Sequence, residues 1–182
     1  MSVLARITRK EFNQFFASTS SLLFLGAFLV MMLFLIFWME TFFARNIADA
    51  RPLFKWLPVL LIFLAATLTM RTWSEERRAG TIENLLTSPV NRLHLVLGKF
   101  LASLLLVAVA LALTVPLPVT ISLLGPLDWG PVLGGYLAAL FLAGAYLSIG
   151  VYMSAQTDNP IVAWILTTFV CAVLYLIGSP MI

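Results

Sequence analysis

Apolar residues run almost unbroken through five stretches, roughly residues 22–42, 54–72, 98–122, 132–154 and 161–178. A hydrocarbon core of ~30 Å needs ~20 helical residues at ~1.5 Å each. The pattern therefore predicts an all-α integral membrane fold with five transmembrane helices. The second span opens at Lys55 and Pro58, and the third is interrupted by Pro116 and Pro118. None of the Lys or Arg residues falls at the centre of a span, where each would cost ~2.5–3.5 kcal/mol.

Ahead of the first span the periodicity changes. Winding residues 3–16 at ~100° per residue places Val3, Leu4, Ile7, Phe12, Phe15 and Phe16 on one arc and Arg6, Arg9, Lys10, Asn13 and Gln14 on the other. This is the pattern of an amphipathic helix over 3–17 lying in the membrane interface, with its cations towards anionic headgroups. Ser18 to Ser21 then turns the chain into the first span. That span runs on without a charge and has no A-x-A site after it, so it reads as retained rather than as a cleaved signal. Glu11 breaks the pattern, since it falls inside the apolar arc, one turn from both Ile7 and Phe15. Either it snorkels to water at the edge of the arc or it forms a salt bridge with Arg77 or Arg78 of the following polar loop.

That loop, residues 71–96, is the most polar part of the chain and carries Glu75, Glu76, Glu83, Arg71, Arg77, Arg78 and Arg92. Arg71 to Ala79 is expected to prolong the second span as a helix, with Glu75 and Arg78 as an i, i+3 pair. Gly80 is a helix stop that accepts a left-handed backbone. Thr81 caps a short helix from Ile82 to Thr87, with Glu83 in its first turn and Ile82, Leu85 and Leu86 on one face. Ser88 and Pro89 form a second start signal leading to the third span. A loop that only joins two spans needs neither this punctuation nor an apolar face, so the short helix is expected to dock on a partner. The alternative is that the face folds back onto the membrane surface.

Composition removes whole classes of function. Of 182 residues, 62% are apolar and 10% charged, against ~45–50% and ~25% in soluble domains. The basic residues flank apolar runs rather than forming a patch, which suits lipid headgroups and argues against nucleic acid. Arg6, Arg9, Lys10, Arg71, Arg77, Arg78, Arg92 and Lys99 lie on the side of the N-terminus, against Arg45, Arg51 and Lys55 on the other. The positive-inside rule thus predicts a cytosolic N-terminus. With five spans the C-terminus falls outside, and the Gly178-Ser179-Pro180 ending reads as a chain cut before a further span.

The N-terminal run ARITRKEFNQFF, a long first span, and WSEERRAGTIENLLTSPVNR after the second span resemble the permease subunits of type 2 ABC exporters. They are most similar to the gliding-motility-associated group, whose E-R-x-x-G-T-x-E-x-L-L-x-x-P pattern falls on Glu76, Arg77, Gly80, Thr81, Glu83, Leu85, Leu86 and Pro89. The resemblance covers about a quarter of the chain and departs in span number, because six spans are usual in that family. It implies that residues 73–96 hold a coupling helix seated in a groove of a separate cytosolic ABC ATPase, with ATP and Mg bound by that partner. It further implies a second permease copy, as homodimer or heterodimer, a bacterial inner-membrane location, and room for an extracytoplasmic auxiliary domain.

No catalytic, cofactor or metal site is expected in this chain. There is no G-x-x-x-x-G-K-[ST] phosphate cradle, no H-E-x-x-H, C-x-x-C or G-x-S-x-G, and His94 and Cys171 stand alone. Asp128 and Asp158 fall in loops, the latter in a turn with Asn159 and Pro160. In the fourth span Gly135, Ala139 and Ala143 form a small-residue row for close helix packing, within the protomer or between copies. The function the resemblance implies is that of a transport subunit. The alternative is a non-transporting scaffold that tethers an ATPase or an outer domain.

Overall fold

The computed structural model describes residues 3–40, 50–81 and 91–178, and every regular element among them is helical. α1 (Val3–Ala17) leads into α2 (Thr19–Phe34), which a π-helical turn extends through Leu35–Met39. α3 (Arg51–Thr69) and α4 (Ser74–Arg78) follow, then α5 (Arg92–Thr114), α6 (Pro116–Leu124), α7 (Trp129–Gln156) and α8 (Pro160–Gly178). Grouped by continuity, these form five helices long and apolar enough to cross a bilayer: α2 with its extension, α3–α4, α5–α6, α7 and α8.

α3 is the central helix. Leu53, Leu57, Leu61, Ala65 and Leu68, spaced by three or four residues, are all buried. α7, α8 and α2 pack around α3. The surrounding helices turn large apolar side chains outward, among them Trp38, Phe141 and Phe169. In water such a surface would aggregate; in hydrocarbon it is the solvated face.

Close approach of α3 and α7 depends on small residues. A Cβ on Gly135 would lie 2.6 Å from the Phe54 ring, and one on Gly150 would collide with the Thr69 side chain. Ala139 and Ala143 are buried between these two glycines along α7. The row therefore packs inside the protomer.

Several boundaries differ from those the sequence predicts, each for a local reason. The second span starts at Arg51, because Pro52 is well placed in a first turn; Lys55 and Pro58 thus lie within the helix. The third starts at Arg92 rather than 98, where the Asn91 side chain accepts from the Leu93 N–H at 3.0 Å. The predicted start at Ser88-Pro89 lies outside the described residues. At the far end of that span the chain re-forms a helix at Pro116 and continues to Leu124. The predicted continuous helix over Arg71 to Ala79 is interrupted: α3 ends at Thr69, and Trp73 has a non-helical backbone (φ −124°, ψ −30°) before α4 begins.

Candidate functional site

The interruption between α3 and α4 is built around one hydroxyl from another helix. Ser154, buried near the end of α7, accepts from the Trp73 N–H at 3.1 Å and the Ser74 N–H at 3.3 Å, and donates to the Met70 carbonyl at 3.2 Å. These backbone groups lose their intrahelical partners at the break, and Ser154 satisfies them. The passage from α3 into α4 is thereby bonded across to α7.

From α4, Glu76 and Arg77 reach in two directions. The Glu76 Oε1 receives Lys99 Nζ at 2.8 Å, and Glu11 of α1 receives the same ammonium at 3.3 Å. Lys99 lies seven residues into α5, roughly 10 Å along the helix, and its side chain is only 5% exposed. Its ammonium also sits 5.2 Å from the Trp73 ring centroid, a cation–π distance. A buried ammonium loses several kcal/mol of hydration, which two carboxylates and a ring face offset here. Ile7, Leu95 and Val151 pack with Trp73 in a small apolar cluster.

Arg77 turns towards the connection between α7 and α8. Its Nη1 donates to the Ala155 carbonyl at 2.7 Å and its Nε meets Asp158 Oδ1 at 2.7 Å. The Ala155 carbonyl belongs to the last turn of α7, where acceptors lack intrahelical donors. The turn is held by its neighbours: Thr157 Oγ1 accepts from the Asn159 N–H and Asn159 Oδ1 from the Ile161 N–H. Asp158 is left to face the guanidinium.

The salt bridge expected between Glu11 and Arg77 or Arg78 is therefore corrected. Glu11 meets Lys99, Arg77 is occupied by Asp158, and Arg78 has no ion pair among the described residues. Glu75 likewise pairs with Arg71 at 3.3 Å rather than with Arg78.

Gly80 ends α4 with φ +68°. Its N–H donates to the Arg77 carbonyl at 3.1 Å and the Thr81 N–H to the Glu76 carbonyl at 3.0 Å, the paired bonds of a Schellman stop. The Thr81 hydroxyl also donates to the Glu76 carbonyl at 3.2 Å, and the short helix it is expected to cap lies outside the described residues. Ile82, Glu83, Leu85, Leu86 and Pro89 lie outside the described residues.

α1 is brought onto α5 by a glycine. A Cβ on Gly98 would lie 2.5 Å from Ile7 Cγ2, so only hydrogen there lets the helices touch. Next to Glu11, a cavity of ≈ 300 Å³ opens between α1 and the ends of α2 and α3, lined by Gln14, Ser18, Ser21, Arg71, Thr72 and Glu75 among others. Among the described residues no group of three His, Cys, Asp or Glu could hold a metal ion.

Lys99, Trp73, Ser154 and Asp158 were not singled out from the sequence as site residues. The available signal was a lone Lys directly after a glycine in an otherwise apolar run, opposite an unexplained Glu11.

At the opposite end of the bundle a buried carboxylate joins two spans. Glu40, after α2, accepts from Lys55 Nζ at 2.6 Å and Trp56 Nε1 at 3.0 Å.

A family profile described as "ABC-2 family transporter protein" matches residues 41–182. The match takes in the α3–α4 joint, Lys99, Ser154 and Asp158, and leaves α1 and α2 outside it. No curated protein and no solved structure matches the chain significantly.

Proposed function

Since the chain belongs to the ABC-2 family of transporter proteins, we propose that it is the permease of an exporter driven by a separate cytosolic ATPase, which docks on the loop after α4. The observation carrying this reading is the bonding of α4. Through Glu76 and Lys99 it is tied to α5 and α1, through Arg77 to the α7–α8 turn, and through the Ser154 joint to α3 and α7. A push on the loop that α4 leads into would move it as a short lever and shift these helices together, a shear-type transition.

On this reading α1 lies on the cytosolic face of a bacterial inner membrane, where eight of the Lys and Arg residues gather. ATP and Mg belong to the partner, and two permease copies complete the path. The motifs at Glu76 to Pro89 favour the gliding-motility-associated group.

Replacing Leu85 and Leu86 by Asp tests the docking. Loss of the copurifying P-loop ATPase is expected, and unchanged recovery would sink the proposal. The scaffold alternative shares the same loop but predicts no ATP-dependent solute movement by the purified complex in vesicles.

A further inference from the structure

α1 has a third face that no ion pair uses. Leu4, Ala5, Thr8, Arg9 and Phe12 form with Leu101 and Leu105 of α5 a groove of ≈ 450 Å³. Its walls are almost wholly apolar, and Arg9 is the one charged side chain lining it. α1 packs on α5 more than on any other helix, with Gly98 against Ile7, and the groove is the crook left along one edge of that seam. Leu105 is exposed on the side of a span that faces hydrocarbon.

Arg9 and the adjacent Arg6 and Lys10 are exposed, and among the described residues none of them forms an ion pair. A cation at the rim of an apolar crook, at the depth where an interfacial helix meets a span, matches one chemistry: a phosphate ester above an acyl chain. A zwitterionic lipid would add an ammonium to a rim that is already positive.

We propose that the crook between α1 and α5 is a specific site for one anionic phospholipid, its acyl chain along Leu101 and Leu105 and its headgroup phosphate on Arg9. This site does not depend on ATPase docking at the loop, so either proposal can fail without the other.

The test is native mass spectrometry of the full-length protein purified from membranes, with phosphatidylglycerol or phosphatidylethanolamine supplied to delipidated protein. One retained phosphatidylglycerol per protomer is expected, held in preference to phosphatidylethanolamine. Arg9→Gln should weaken its retention about fivefold, the loss of one interfacial cation, whereas Arg6→Gln on the outward face should change it less than twofold. Leu105→Trp, which fills the groove at a lipid-facing position, should displace both lipids while gel-filtration behaviour is kept. Equal losses for Arg9→Gln and Arg6→Gln would reduce the effect to diffuse surface charge and overturn the site. So would equal retention of the two lipids, or retention unaffected by Leu105→Trp.

Discussion

Lys99 Nζ and Glu76 Oε1 lie 2.8 Å apart, with the lysine side chain almost sealed from solvent while Glu76 keeps 26% exposure. The ammonium is the more buried partner, although Glu76 Oε2 is itself buried and has no hydrogen-bond partner among the described residues.

Removing the cation should be the more damaging change. Lys99→Met keeps the volume but leaves Glu11 and Glu76 facing each other in a poorly hydrated site, and is expected to cost about 3 kcal/mol. Thermal unfolding in detergent measures it. Adding Glu11→Gln and Glu76→Gln to the same chain should recover part of the loss, because the unpaired charges are then gone. A triple variant less stable than Lys99→Met would contradict the assignment.

For Arg77 the expected effect separates two bonds. Its pair with Asp158 is well exposed on both sides, so Asp158→Asn should shift stability by no more than about 0.5 kcal/mol. Arg77→Ala also loses the bond to the Ala155 carbonyl and should cost roughly 1 kcal/mol. Equal effects from the two substitutions would show that the carbonyl bond contributes nothing.

At the Ser154 joint the prediction concerns exchange as well as stability. Ser154→Ala strips the acceptor from the Trp73 and Ser74 amides and should cost about 1–3 kcal/mol. Amide hydrogen exchange over residues 70–75 should accelerate while α8 is unaffected. Unchanged protection of those amides would mean that the break is satisfied in some other way.

How much of this could be read from the sequence depends on the length scale of the signal. Five spans followed from long apolar runs, and the stop at Gly80 from a single residue whose backbone freedom is unique. The break at Trp73 did not follow. Nothing local in Arg71-Thr72-Trp73-Ser74 forbids a helix, and the deciding hydroxyl is eighty residues away on α7. The partner of Glu11 was missed for a related reason. Lys99 counted as one of the interfacial cations flanking a span, whereas the earlier start of α5 at Arg92 carries it inside the bundle.

Gly150 and Gly134 offer a matched pair on α7. A methyl group at Gly150 would strike Thr69, whereas one at Gly134 meets nothing within 4 Å. Gly150→Ala should therefore destabilise by about 1–3 kcal/mol, while Gly134→Ala should be neutral or mildly stabilising through helix propensity. Melting curves of the two variants decide it, and similar behaviour would place the α3–α7 contact elsewhere.

The contact between Gly98 and Ile7 also governs what an attached reporter would record. Because the leading helix is seated on the third span more than on the first, a fluorophore or fusion placed just before Val3 would ride with the third span. Labels at that end would report displacement of the third span, and bulky tags there would load it.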